Sequence, residues 1–255
     1  MTLSFTALQG LPLIQPGDSI PGLILASLSA SQLSLQDGDI LVIAQKIVSK
    51  SENRLMNLRM VMPSSRALEL AEATGKDPRF VELVLREAKS VLRTRANTLI
   101  VEHKNGFICA NAGIDHSNVR GSWGDPGDWV LLLPKDADAS AAAIRLSLEA
   151  TCGCRLGVMI IDSHGRAWRN GTVGVCIGLS GMPGLVDLRG TPDLFGYQLR
   201  ITQVGAADEL AAGASLLMGQ AAEASPVIHV RGFPYPLRDG SLSELIRPSD
   251  QDLFR

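Results

Sequence analysis

The chain has 255 residues, of which 45% are hydrophobic and 20% charged, which suits one large domain with a substantial core and excludes intrinsic disorder. A formal net charge of -2 excludes the basic excess that captures nucleic acid or anionic membrane. No apolar run is long enough to cross a bilayer, and Met1-Thr2-Leu3-Ser4-Phe5 lacks the basic start of a secretory signal, so a cytoplasmic protein is expected.

A short strand at residues 3–7 precedes a loop punctuated by Gly and Pro at 10–18. Residues 21–30 are apolar and helix-permissive, and Gln36-Asp37-Gly38-Asp39 makes a turn. The run Ile40-Leu41-Val42-Ile43-Ala44 predicts a buried strand, which releases Lys46 and Lys50 just past its end. Ser64 caps a helix carried by Ala67, Leu68, Leu70 and Ala71, and Gly75 stops it. Residues 78–92 read as a second helix with Phe80, Val81, Val84, Leu85 and Ala88 on one face. Strands follow at 98–103 and 107–110, and Asn105-Gly106 between them marks a hairpin.

Beyond it, residues 120–128 form a loop rich in Gly, Pro and Trp, 129–133 a strand, and 140–150 an alanine-rich helix. Gly157-Val158-Met159-Ile160-Ile161 is a strand that delivers Asp162. Residues 171–181 alternate glycine with apolar side chains, as in a strand whose backbone is closely approached. A strand at 197–204, a small-residue helix at 206–218, a last strand at 226–230 and a polar tail at 245–255 complete the chain. No repeat and no linker divides it, and the hairpin-like pairs predict α+β rather than a doubly wound parallel sheet.

Several chemistries are absent. There is no P-loop, no G-x-G-x-x-G after a strand, no kinase signature and no G-x-S-x-G elbow. Asp162-Ser163-His164 is a local triplet, whereas triad members converge from separate segments, so hydrolase chemistry is disfavoured. Cys109, Cys152, Cys154 and Cys176 complete no zinc pattern and read as structural thiols, while His103 and His229 sit at strand-like core or edge positions.

Two runs stand out: Asn111-Ala112-Gly113-Ile114-Asp115-His116-Ser117-Asn118 and Gly157 through Arg166. Each brings an aspartate from strand-like residues into a polar loop, where a hard cation takes oxygen ligands and leaves positions for water and phosphate. The other reading of Asp115 and Asp162 is a turn aspartate bonded to its own loop, and each taken singly favours the turn. Asn118 and Ser163 either orient phosphate, complete a metal shell or serve the same turns. Lys46 and Lys50 are point charges for phosphate or solvated surface, and Arg166 and Arg169 suit planar anions. Leu217-Met218-Gly219-Gln220 ends a helix and opens a polar loop.

These runs resemble the coenzyme F-420 γ-glutamyl ligases over essentially the whole chain. The resemblance includes Gly10-Leu11-Pro12-Leu13-Ile14, Gly38-Asp39-Ile40 through Ser49-Lys50, the two aspartate motifs, Gly171-Thr172-Val173-Gly174, Asp193-Leu194-Phe195-Gly196 and Leu216-Leu217-Met218-Gly219. It implies an α+β fold with mixed and antiparallel sheets, flanking helices and an intertwined homodimer. The implied substrates are GTP, L-glutamate and the zero-glutamate F-420 precursor, with a precursor carboxylate activated as an acyl phosphate and a γ-linked tail built in later rounds. It implies Mg²⁺ or Mn²⁺ at two sites, with K⁺ as an accessory cation, and involves no nucleic acid or membrane.

By position, the resemblance implies nucleotide contacts at Leu11, Pro12, Leu13, Ile14, Gln45, Lys46, Lys50, Asn118, Met218, Gly219 and Gln220, and a catalytic role for Lys50, Asp115 and Asp162. Asp115, Asp162, Ser163 and Gln220 fall at the metal positions; Ser163 replaces a common threonine, and Gln220 replaces a glutamate present in some members. Gln45-Lys46 replaces a Ser-Thr pair. Some bacterial members carry a C-terminal nitroreductase-like flavin domain; here a single ligase domain over 1–255, with a second sub-lobe and without that flavin domain, is expected. A non-catalytic F-420- or nucleotide-binding module and an amide ligase for another acid are the alternatives.

Overall fold

The computed structural model describes residues 2–252. The first half runs β1 (Ser4–Ala7), α1 (Ile20–Ala30), β2 (Ile40–Ala44), α2 (Gln45–Ser51), β3 (Leu55–Asn57), α3 (Ser65–Thr74), α4 (Pro78–Glu87), β4 (Ala88–Arg95), β5 (Thr98–His103) and β6 (Ile108–Ala110). The second half runs β7 (Trp129–Leu131), α5 (Ala137–Cys152), β8 (Gly157–Arg166), β9 (Arg169–Ser180), β10 (Val186–Asp187), β11 (Gln203–Val204), α6 (Ala206–Met218) and β12 (Val227–Arg231). The expected α+β class holds.

The largest sheet has the order β1-β12-β2-β8-β9. Within it β2 and β8 run parallel, and every other neighbouring pair is antiparallel. β2 is apolar throughout because both faces of the sheet are covered. Leu41, Ile43, Val158 and Ile160 join α1 and α5 in one core; Ile40, Val42, Met159 and Ile161 join α6 in another. Each fully buried Ile or Leu contributes roughly 1.5–3 kcal/mol of transfer free energy. The glycines of β9 permit close approach of both helices: a Cβ on Gly178 would lie 2.4 Å from Ala137, and one on Gly174 would lie 2.6 Å from the Ala211 carbonyl oxygen.

A third core lies between α3, α4 and the small sheets, around Leu70, Phe80, Val84, Leu99, Val101 and Val130. There β4-β5-β6 form an antiparallel sheet, and β3 pairs with β7. Local signals set these boundaries as expected. Ser64 Oγ accepts from Ala67 N at 3.2 Å, Gly75 ends α3 at φ 71°, and Gly106 turns the hairpin at φ 97°.

Two expected boundaries are corrected. The helix placed over 78–92 ends at Glu87, because Ala88–Arg95 pairs with β5 and sets Val91 opposite Val101. A helical continuation would instead have left that ladder of backbone hydrogen bonds unmade. The strand placed over 197–204 shrinks to Gln203–Val204, since the residues before it form a projecting arm in which Ile201 is 88% exposed. The helix α2 was not expected at all. Of the polar tail, residues 253–255 lie outside the described residues; Ser249–Gln251 is a 3-10 turn. Among the described residues no helix is long and apolar enough to cross a membrane.

Candidate active site

The parallel pair builds the site. Ala44 at the end of β2 lies opposite Ile161 of β8, so Gln45 and Lys46 begin α2 beside Asp162, which stays within β8 and pairs with Val175. The carboxyl ends of adjacent parallel strands are where open sheets gather ligands. Here they open into a cavity of about 620 Å³, walled by the 11–14 loop, the start of α2, the 113–118 turn, the outer part of β8 and the 218–226 loop. Every residue assigned to nucleotide or metal from the sequence lines this cavity, from Leu11, Pro12, Leu13 and Ile14 through Asn118 to Met218, Gly219 and Gln220.

Asp115 arrives by a strained route. Asn111, Ala112 and Gly113 are consecutively left-handed, at φ 52°, 54° and 66°. An alanine so placed costs about 1–2 kcal/mol, and such strain persists only where surroundings hold it. The Asn111 side-chain oxygen accepts from Leu99 N at 3.1 Å, and Ala112 is fully buried. Beyond the turn, Asp115 exchanges both backbone hydrogen bonds with Leu131, at 3.0 and 2.9 Å. The turn reading is corrected for both aspartates: the Asp115 carboxylate bonds to Gln45 and Lys46 of α2, not to its own loop, and Asp162 lies within β8.

At Asp115 Oδ2 the Gln45 amide donates at 2.6 Å and the Lys46 ammonium sits at 3.1 Å. Burial pushes the Asp115 carboxyl above its ordinary range, and the Asp162 charge pushes the same way; Lys46 and Gln45 pull it back. Asp162 and Asp115 thus feel each other across the cavity. Lys46 also donates to Ser117 Oγ at 2.9 Å, and Lys50 donates to the Asn118 carbonyl at 2.8 Å. Burial, then the neighbouring Lys46 charge, draws Lys50 below its usual range against the pull of Asp115.

The 218–226 loop is fastened to these elements. Gly219 ends α6 at φ 72°, Asn118 Nδ2 donates to the Ala221 carbonyl at 3.0 Å, and Ser163 Oγ donates to Gln220 Oε1 at 2.8 Å. Asp162 has its own clamp. His164 Nε2 lies 3.1 Å from Asp162 Oδ2, and the ring of Phe107 tilts against it with centroids 5.4 Å apart. Behind Phe107, His103 stacks at 4.9 Å; burial pulls it down to about 4, so it is neutral near pH 7.

The donors available beside Asp115 and Asp162 are oxygens of carboxylate, hydroxyl and amide. Among the described residues no group of three or more His, Cys, Asp or Glu forms a metal cluster. Such a set fits a hard cation that completes its shell with water and substrate phosphate, and it does not fit a thiolate- or imidazole-rich metal.

Residues 10–232 match the family model described as F420-0:Gamma-glutamyl ligase. The chain belongs to that family. It is 44% identical to the Coenzyme F420:L-glutamate ligase of Methanothermobacter thermautotrophicus over the whole of both chains, 100% of each. It is also 44% identical to the protein of that name from Methanopyrus kandleri, across 95% of this chain and 93% of the relative. A third, from Archaeoglobus fulgidus, is 40% identical over 100% of this chain and 97% of its own length.

Some sequence candidates stand apart from the cavity. Arg166 and Arg169 lie at the exposed tip of the β8–β9 hairpin, where Arg166 donates to the Asn170 carbonyl at 3.0 Å. Cys109 and Cys176 are buried and Cys152 and Cys154 half-buried, all four as free thiols. His103 and His229 are buried core residues, as expected. Conversely, Ser117 and His164 line the cavity and Ser49 backs Gln45, although none of them is given a role there from the sequence and His164 is weighed only within the rejected triplet. Asp162 and His164 stand two apart on one strand, a spacing that puts both on the same face. Gln45 and Ser49 stand four apart on a helix, which makes them neighbours.

Proposed function

We propose that this ligase joins L-glutamate to the zero-glutamate form of the F-420 precursor, using GTP and a divalent metal, and then extends a γ-linked tail. The observation that carries the reading is the convergence of Asp115, Asp162, Lys46 and Lys50 on one cavity in a chain that matches the family over residues 10–232.

The chemistry follows from the charges. A precursor carboxylate oxygen attacks the γ-phosphorus of GTP, GDP leaves, and an acyl phosphate forms. The glutamate amine then attacks the acyl carbon, phosphate leaves, and the nitrogen gives up a proton as the amide forms. Phosphoryl transfer asks for position and positive charge more than for a protein nucleophile. Lys46 and Lys50 supply two such charges on the α2 side of the cavity. The 11–14 loop and Met218 offer apolar walls for the flat parts of the bound molecules. Asp115, Asp162, Ser163 and Gln220 would hold Mg²⁺ or Mn²⁺ at the two expected sites, which would supply further positive charge against phosphoryl oxygens. Gln220 would contribute a neutral oxygen, so these four residues carry two full negative charges, a number suited to a metal that shares its shell with nucleotide phosphate.

We further propose that two copies pair. The arm between β10 and β11 holds Leu194 at 98% and Phe195 at 95% exposure, and exposed apolar residues this concentrated mark interaction surfaces. A second reading, a non-catalytic nucleotide- or F-420-binding module, draws on the neutral Gln220 beside Ser163. One assay separates them: purified protein with the precursor, GTP, Mn²⁺ and L-glutamate, read by product mass. A glutamylated product formed only with all four supports the ligase, whereas tight substrate binding without product supports the module.

A further inference from the structure

Gln45 borders the cavity, yet it is 1% exposed and its amide is committed to the protein at both ends. Its Oε1 accepts from the Ser49 hydroxyl at 2.9 Å, while its Nε2 donates to Asp115 Oδ2 at 2.6 Å. Ser49 is fully buried one helical turn further along α2. The direction of this relay is fixed by chemistry. A carboxylate accepts only, so the NH₂ end of the amide must face Asp115. The Ser49 hydroxyl, able to donate or accept, completes the relay by donating to the Oε1 that Asp115 turns toward it.

Gln45 and Lys46 both grip Oδ2. Among the described residues no side chain donates to Oδ1 of Asp115, which leaves that oxygen for a cation. From this arrangement we infer that Gln45 and Ser49 are positioning residues for Asp115, holding its carboxylate in the rotamer that presents Oδ1 to the metal. The inference rests on the reading of Asp115 as a metal ligand. It differs from a direct nucleotide contact at Gln45 in what it says must change when the relay is cut. Partners that orient a ligand typically carry ten- to hundredfold in metal affinity.

The test is Mn²⁺ binding to the full chain without nucleotide, followed by electron paramagnetic resonance of the free ion, on the wild type, Gln45→Met, Ser49→Ala and Asp115→Asn. Gln45→Met keeps length and loses both hydrogen bonds; it is expected to weaken Mn²⁺ about tenfold or more, with Ser49→Ala weakened about threefold or more. Should Gln45→Met not fold by circular dichroism, Ser49→Ala decides alone. Wild-type Mn²⁺ affinity in the folded variants, or a raised KM for GTP with metal binding intact, overturns the inference. A different pattern strikes the metal reading itself: Asp115→Asn binding Mn²⁺ as tightly as the wild type.

Discussion

Lys46 Nζ stands 3.1 Å from Oδ2 of Asp115, so one member of the acidic pair already carries a counter-charge before any ligand arrives. The same ammonium holds Ser117, and so ties α2 to the turn bearing Asp115. Removing it in Lys46→Met leaves the acids uncompensated and takes a cation from the phosphate side of the cavity. A charge-assisted hydrogen bond is worth about 1.5–3 kcal/mol, so the KM for GTP should rise roughly ten- to hundredfold. Steady-state phosphate release at saturating metal and glutamate measures it. A KM equal to that of the wild type would reduce Lys46 to a surface charge.

Neutralising Asp115 should separate activity from stability. Its folded pKa is raised, first by burial and then by Asp162. Between the unfolded value of about 3.9 and that raised value, the folded chain binds more protons than the unfolded one. Stability from this group is therefore present at low pH and lost as pH rises through the window. Asp115→Asn escapes the loss. In EDTA it should melt higher than the wild type at pH 7, with an advantage that shrinks as pH falls toward 4, while glutamylation drops about a hundredfold or more. Thermal melts across pH, paired with product mass, check both halves, and a lower melting point at pH 7 contradicts the first.

The fold was readable where local chemistry decides it. Ser64, Gly75 and Asn105-Gly106 mark their own boundaries, and the apolar run of β2 announces a strand covered on both faces. Tertiary pairing decided what was missed. Ala88–Arg95 becomes a strand only because β5 lies beside it, which no property of Lys89 or Ser90 announces. The cavity residues came chiefly from family resemblance, since single aspartates in turns are common. What residue type alone could not show is how the polar groups are spent: Gln45 faces Asp115 and Ser49, and Gln220 faces Ser163. Asp115 lies 70 residues from Gln45 and Gln220 lies 57 from Ser163, so these partners meet only through the tertiary fold, whereas Ser49 is one helical turn from Gln45.

At the other end of β2 a buried ion cluster offers a control. Asp39 is 1% exposed, His229 Nε2 lies 2.8 Å from its Oδ2, and Arg231 reaches both its oxygens at 2.8 and 2.7 Å. Burial alone would push Asp39 up, but the hydrogen bonds of Arg231, His229 and the Gln36 N–H together hold it below its ordinary value. Its contribution is then complete above the unfolded pKa and is lost as pH falls through the folded one. Breaking a buried pair from one side costs about 3–5 kcal/mol. Arg231→Met should lose stability on that scale in urea at pH 7, with a loss that narrows in acid. Because Asp39 sits before β2 and the cavity after it, KM for GTP should stay unchanged in the folded fraction. A large KM shift would mean the two ends of the strand are coupled.

The arm between β10 and β11 is a built structure that buries little of its own apolar surface. Asp193 Oδ1 accepts from the backbone N–H of Phe195 at 2.8 Å and of Tyr197 at 2.9 Å, and Gly196 turns the tip at φ 84°. Order is thus imposed on a segment that displays Leu194, Phe195 and Ile201 to solvent. If a second copy covers them, the chain sediments at twice its 27.2 kDa mass. A twofold interface meets each substitution twice, so Leu194→Asp with Phe195→Asp should weaken pairing by several times the roughly 1.5–3 kcal/mol of one buried side chain. Sedimentation equilibrium at micromolar concentration should find the wild type dimeric and the double variant monomeric. Since neither residue lines the cavity, Mn²⁺ binding to the monomer should persist. A wild type that is monomeric at those concentrations, or a double variant that still pairs, would assign the exposed arm to some other partner.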